Sequence, residues 1–179
     1  MTDDLGWTFP VAVAELTEDG ADFELAPDER IRTALARHVG VLAVPQLTAH
    51  LHVQPDGRGG AEVAGPLQAT VRQTCVVTLE PFDNPINEEI SIRFAPADTI
   101  APETDGLVDL EAEDPPDALV DGTLDLAAVV AEFLALSIDP YPRKPGAVFS
   151  QPEAGESDRK SSPFAALEKL KGGQADEND

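Results

Sequence analysis

The thiol and imidazole side chains of this sequence, which could act as nucleophile, base or metal ligand, are Cys75, His38, His50 and His52. A catalytic thiol needs a nearby base to form the reactive thiolate. The histidines fall at a predicted helix end and on one predicted strand, and no spacing pairs any of them with Cys75. We therefore interpret Cys75 as a small buried core residue. A thiol enzyme or hydrolase that uses Cys75 or the histidine pair is the alternative.

His50 and His52 form an H-x-H pattern, which places both rings on the same face of a strand, as two metal ligands can be. No third ligand is identifiable, and a half-exposed strand face accounts for the pattern more simply. The sequence also contains none of the phosphate-loop, dinucleotide, nucleophile-elbow or zinc-protease motifs. We expect a protein without enzymatic activity, metal or cofactor.

The charge balance is strongly acidic, since 34 Asp and Glu face 12 Lys and Arg for a net charge of -22. Such a chain repels phosphate backbones and anionic membranes, so we expect neither DNA nor membranes as partners. No Lys or Arg occurs between Arg93 and Arg143. This acidic interval is either a solvated loop that keeps the protein soluble or a docking surface for a basic partner. The candidate docking residues within it are Glu103, Asp105, Asp109, Glu111, Glu113 and Asp114.

A single cysteine excludes an internal disulfide framework. The first residues are acidic, whereas a secretory signal needs positive charge before an apolar run, and no stretch reaches the ~18 apolar residues of a membrane span. We expect a soluble cytoplasmic protein.

Alternating apolar residues predict about six strands. Residues 7–16 and 21–26 predict an opening hairpin around the Asp19-Gly20 turn signal, and residues 41–55 and 60–77 predict strands around the turn "DGRGG". The stretches "VVTLEPF" and "INEEISIRFAP" predict two more strands.

Helical periodicity predicts two clear helices. The first follows Pro27 and Asp28 and ends at Gly40, and the second begins after Asp125 as N-cap. A third, short helix is predicted in "SSPFAALEKLKGG", whose apolar stripe is a further candidate for partner docking because a helix this short needs a docking surface. That stripe consists of Phe164, Leu167 and Leu170.

These elements predict an α+β fold with an antiparallel β-sheet or partly closed barrel and two or three packed helices. We expect one domain over residues 1–150 that contains an acidic loop at residues 97–122. A linker at residues 151–161, a C-terminal helix at residues 162–172 and a disordered tail at residues 173–179 follow.

Three stretches in order resemble the YceD-like family of large ribosomal RNA subunit accumulation proteins. They are "GPLQATVRQTCVVTLEPF" with "INEEISIRFAP" after it, "DGTLDLAAVVAEFLALSIDPYPRKPGA" and "SPFAALEKLK", which together extend from about residue 65 to 171. The family's C-x-R-C-L-E-P signature is similar to Cys75 through Pro81 here, with Val77 in place of its arginine and Thr78 in place of its second cysteine. The resemblance implies a structural motif of Cys75, Leu79, Glu80 and Pro81 at a strand turn. Without the second cysteine, and without the cysteine-rich insertion of some members, it implies no zinc.

The resemblance further implies a non-enzymatic accessory protein of ribosome biogenesis that supports synthesis, processing or accumulation of large-subunit (23S) ribosomal RNA. Family genes commonly neighbour one for a large-subunit ribosomal protein. A basic ribosomal protein or ribosome-assembly factor is the expected partner, because a net charge of -22 suits a basic protein better than naked RNA. The alternative is direct binding of ribosomal RNA through a local basic sheet face. The side chains for such a face would be Arg58, Arg72, Arg93, His50 and His52.

Overall fold

Five strands form the main sheet and two short strands form a second one. The computed structural model of the protein describes residues 5–100 and 115–149. Its helices are α1 (Glu29–Val39) and α2 (Leu126–Leu136), and a turn of 3-10 helix spans Val13–Glu15. The strands of the described residues are β1 (Pro10–Ala12), β2 (Ala21–Leu25), β3 (Ala43–Pro55), β4 (Ala61–Thr74), β5 (Pro81–Pro96), β6 (Asp117–Leu119) and β7 (Thr123–Asp125).

All of these elements belong to the first of two compact units, Met1–Ala147, and the second unit is Val148–Asp179. The main sheet has the order β2-β3-β4-β5-β6, and β1 pairs with β7 in the second sheet. Every pairing is antiparallel except that of β5 with β6. This arrangement confirms the predicted α+β class, in the form of an open sheet. No helix among the described residues is long and apolar enough to cross a membrane.

The sheet has one buried and one exposed face because apolar residues alternate along its strands. On β4, and on β3 from Leu47 onward, the odd-numbered residues turn inward, and α2 packs its apolar side chains into the same core. The fully buried side chains at the centre include Leu51, Val53, Val63, Leu67, Val71, Leu126, Val130 and Leu134.

Both predicted helices form, and their predicted start signals act as N-caps. The Asp28 carboxylate accepts a hydrogen bond from the Ile31 N–H at 2.9 Å, and α1 ends at Gly40, whose φ of 75° is left-handed. The Asp125 carboxylate accepts from the N–H groups of Ala127 at 3.0 Å and Ala128 at 3.4 Å.

The predicted opening hairpin is wrong. The turn before β2 exists, with the Gly20 N–H donating to the Thr17 carbonyl at 2.9 Å. The strand ahead of it breaks after three residues, however, because Val13–Glu15 winds into 3-10 helix. The short β1 then pairs with β7, which lies next to it through Val11 and Leu124.

Of the two strands predicted in "VVTLEPF" and "INEEISIRFAP", the second forms and the first does not. Residues 75–80 form a turn, and the chain then runs as the single strand β5 of 16 residues. Pro85 lies within this strand without ending it, which is tolerated on a strand with an open edge. The main sheet therefore contains fewer, longer strands than the alternation predicts.

The predicted acidic loop at residues 97–122 contains a strand that the sequence analysis missed. β6 adds to the end of β5, with Ala118 opposite Ala95. Residues 101–114 of this interval lie outside the described residues, as do the predicted linker, C-terminal helix and tail between residues 151 and 179.

Candidate functional site

The turn between β4 and β5, residues 75–80, holds Cys75, Leu79 and Glu80 of the expected structural motif, and Pro81 follows directly. The Cys75 N–H donates to the Glu80 carbonyl at 2.9 Å, and the Leu79 N–H donates to the Cys75 carbonyl at 2.9 Å. Leu79 has a φ of 60°, a left-handed conformation that is unusual for a residue other than glycine. Pro81 then begins β5, where its lack of an N–H does not interrupt the sheet.

A second stretch of chain, residues 139–144, holds this turn from the side. The Val76 N–H donates to the Pro142 carbonyl at 2.9 Å, and the Lys144 N–H donates to the Cys75 sulfur at 3.4 Å. The Lys144 ammonium also forms an ion pair with the Glu80 carboxylate at 2.9 Å. The turn and the segment that follows α2 are thus one structural unit, and we call them the clamped turn (residues 75–80 and 139–144).

Cys75 is completely buried, and its sulfur serves as a hydrogen-bond acceptor. Besides Lys144, the N–H groups of Val77 at 3.4 Å and Thr78 at 3.5 Å point to it. The Thr78 side chain and these backbone groups lower the pKa of Cys75 from 9.0 to about 7, against the opposing effect of burial. No histidine is among these partners. The arrangement favours a structural thiol rather than a nucleophile, since substrate has no access to it.

The sequence analysis missed the residues that complete the clamped turn. Gln73, which is only 6% exposed, donates from its side-chain amide to the Asp139 carbonyl at 2.9 Å and accepts from Asn84 at 3.2 Å. The sequence does contain one sign of this role. Gln73 occupies a position of β4 whose side chain points into the core, and a buried amide needs hydrogen-bond partners. Its partner at Asp139, 66 residues further along the chain, carries no sequence signal.

The structure places His50 and His52 on the exposed face of β3, as the H-x-H pattern predicts. His52 Nδ1 lies 2.8 Å from the Asp22 carboxylate, and this hydrogen bond raises the pKa of His52. The register sets Glu24 opposite His50. Within residues 5–100 and 115–149, no group of three or more His, Cys, Asp and Glu side chains could hold a metal ion.

The arginines of the predicted basic face do not gather. Arg72, Arg93 and both histidines project from the same sheet face, but Arg72 pairs with Asp83 through contacts of 2.7 and 3.0 Å. Arg93 lies ten residues beyond Asp83 along β5, about 33 Å away at ~3.3 Å per residue, and Glu62 is opposite it in the register. Arg58 lies in the turn between β3 and β4. Cations on this face are therefore spread among carboxylates.

The candidate docking residues of the acidic interval and of the C-terminal stripe lie outside the described residues. They are Glu103, Asp105, Asp109, Glu111, Glu113, Asp114, Phe164, Leu167 and Leu170. Their role as a docking surface stays a prediction.

Comparison with known proteins gives a family but no individual relative. No curated protein and no solved structure matches the chain. The family described as large ribosomal RNA subunit accumulation protein YceD matches residues 63–171, which include most of β4, the clamped turn and α2. This match covers more than half of the 179 residues. The chain belongs to the YceD family.

Proposed function

We propose that this protein supports accumulation of large-subunit ribosomal RNA without catalysing a reaction, by binding a basic ribosomal protein or ribosome-assembly factor. The family's description names accumulation of the RNA and no reaction. The thiol of the clamped turn is buried and accepts hydrogen bonds from within the protein, so a substrate could not reach it.

The observation that carries the proposal is the distribution of charge. The net charge is -22, and on the exposed sheet face Arg72 and His52 are paired with carboxylates. Binding of RNA gains affinity when unpaired Lys and Arg neutralise phosphates. A basic protein gains from the opposite arrangement, since its cations meet an excess of carboxylates.

The proposal is tested by incubating the full-length tagged protein with proteins extracted from purified large ribosomal subunits. We expect it to retain one or a few basic proteins, identified by mass spectrometry, at low salt. Because opposite charges drive the encounter, retention should fall as salt rises from 0.05 to 0.5 M, a range in which the Debye length shrinks from about 14 to about 4 Å. Prior RNase treatment should leave retention unchanged.

The matched measurement uses naked large-subunit ribosomal RNA at the same salt concentrations. Tight retention of this RNA, together with loss of the retained proteins after RNase, would contradict the proposal and favour direct RNA binding.

A further inference from the structure

Strand β5 is paired along one edge and largely open along the other. Its partner β4 covers it from Pro81 to Phe94, whereas β6 pairs only with Phe94, Ala95 and Pro96. In the described part of the chain, no other strand pairs with residues 81–93. Such an edge presents a row of backbone N–H and C=O groups that can accept another strand. We call residues 86–93, the proline-free part of this stretch, the open edge.

The position of Pro85 indicates which amides face outward. Proline has no N–H, so within a strand its nitrogen faces the side without hydrogen bonds to a neighbour. Backbone direction repeats every two residues, so the N–H groups of Asn87, Glu89 and Ser91 face the same way as the Pro85 nitrogen. The open edge thus offers these three donors to an incoming strand.

A cleft of about 750 Å³ adjoins the end of the open edge. Ser91 and Ile92 of β5 form one side of it, and Phe133 and Leu136 of α2 form the other. The Leu136 side chain is 75% exposed, which leaves an apolar surface beside the free backbone groups. Strand addition uses such a combination, in which backbone bonds supply affinity and a cleft selects side chains.

Carboxylates outnumber cations around this surface. Among the described residues, the charged side chains that line the cleft are Glu62, Asp117, Glu132 and Arg93, and the open edge adds Glu88 and Glu89. Glu88 is exposed although it belongs to the core-facing phase of β5, between the buried Ile86 and Ile90. A strand that paired with the open edge would therefore lie close to carboxylates on both faces of the sheet.

From these observations we infer that the open edge and its cleft bind an extended, basic segment of a partner protein, which joins the main sheet as a strand next to β5. The inference rests on the proposed function and specifies where and how the basic partner binds. A partner segment of eight residues matches the open edge, which is about 26 Å long at ~3.3 Å per residue.

The same charges select against a second copy of this chain at the edge. Two such edges would bring identical rows of carboxylates together, with Glu88 and Glu89 in each row. Lysine or arginine at two adjacent positions of a partner strand would instead lie near Glu88 on one face and Glu89 on the other. The edge is thus disfavoured for self-pairing and favourable for a basic strand.

The test uses the purified basic protein that the full-length chain retains from the large-subunit extract, and compares Ser91→Pro with Ser91→Ala. The proline removes one outward N–H, whereas the alanine keeps it and is the matched control. We expect roughly tenfold weaker binding for Ser91→Pro, the effect of one lost backbone hydrogen bond, and less than about a twofold change for Ser91→Ala.

A charge reversal provides a second variant that does not alter the backbone. Glu132→Lys in the cleft should weaken binding by roughly tenfold at low salt and by less at high salt. Glu24→Lys makes the same change on β2, at the other end of the sheet order, and should leave binding within about twofold. Thermal unfolding of each variant verifies that it is folded.

Hydrogen exchange on the wild-type protein locates the contact directly. We expect the amides of Asn87, Glu89 and Ser91 to exchange fast in the free protein and to become protected in the complex. Fast exchange in both states, or equal binding by all variants, would overturn the inference and leave the proposed function standing. Protection already present in the free protein would also overturn it, since the edge would then be covered by this chain or a second copy. Retention of no basic protein at all would contradict the proposed function itself.

Discussion

At the scale of single residues, Cys75 acts as a hydrogen-bond acceptor inside the clamped turn. Its thiol is buried and accepts hydrogen bonds from two directions, one within its own turn and one from Lys144. The Thr78 side chain lies next to the sulfur and is the largest cause of the lowered pKa of Cys75. The motif thus joins the β4–β5 turn to the end of α2.

The lowered pKa makes a prediction about pH. In the folded protein the pKa of Cys75 is about 7, against 9.0 ordinarily, so between these values the folded state has released a proton that the unfolded state keeps. Raising the pH through this window therefore favours the folded state. We expect wild-type stability to increase from pH 7 to 9 relative to Cys75→Ser, measured by urea unfolding at several pH values.

Thr78→Val is the matched control for this pH effect, since it retains the thiol and removes the side-chain hydrogen bond. It should move the thiolate absorbance titration of Cys75 to higher pH. An unchanged midpoint in this variant, or parallel stability curves for wild type and Cys75→Ser, would contradict the account of the thiol given above.

At the scale of elements, Asp125 holds α2 and the short strands together. Its carboxylate accepts two N–H groups of α2 and also the Phe9 N–H at 2.9 Å, which joins residues 116 apart in the chain. Asp28 caps α1 with a single hydrogen bond to Ile31. The two aspartates thus differ mainly in that Asp125 also accepts the hydrogen bond from the distant Phe9 N–H.

This difference predicts unequal costs of removing the two caps. Asp28→Ala should lower the free energy of unfolding by about 1 kcal/mol, as for an ordinary cap, and Asp125→Ala by about 2–3 kcal/mol because the Phe9 N–H also loses its partner. Chemical denaturation of the two variants measures both values. Equal losses would show that the bond to Phe9 contributes nothing.

The same elements show how far sequence reasoning extends. Both helices and their caps could be predicted because a cap is a local signal, read from Asp28 or Asp125 and the residues after it. For β1 the sequence predicts the wrong partner, namely the strand at residues 21–26. The actual pairing of Pro10 with Asp125 joins residues that are far apart in the chain and carries no local signal. Asp139 and Lys144 of the clamped turn were missed for the same reason. Local patterns predict elements, and the contacts between distant elements form the site.

At the scale of the whole molecule, the net charge of -22 governs how copies of this protein interact. The charge falls to zero near pH 4.2, the isoelectric point. There the repulsion between copies disappears, while the open edge of β5 and the exposed Leu136 remain available for contact.

We therefore predict that self-association rises steeply as the pH is lowered from 7 toward 4.2. Static light scattering at constant protein concentration measures this rise. At pH 7, added salt should act in the same direction but more weakly, because it screens the charges without removing them. Scattering that stays constant down to the isoelectric point would show that charge is not what keeps the copies apart.

The pairing of β1 with β7 also determines the order in which the chain can fold. β3, β4 and β5 follow one another and are joined by short turns, so this meander forms from contacts that are close in sequence. The strand at Pro10–Ala12 has its pairing partner at Thr123–Asp125, far along the chain, and α2 follows that partner in sequence. Because closing a long loop is entropically costly and slow, we expect the docking of β1, β7 and α2 on the meander to be a late step of folding. During synthesis, Pro10–Ala12 stays without its partner strand until Thr123–Asp125 has been made.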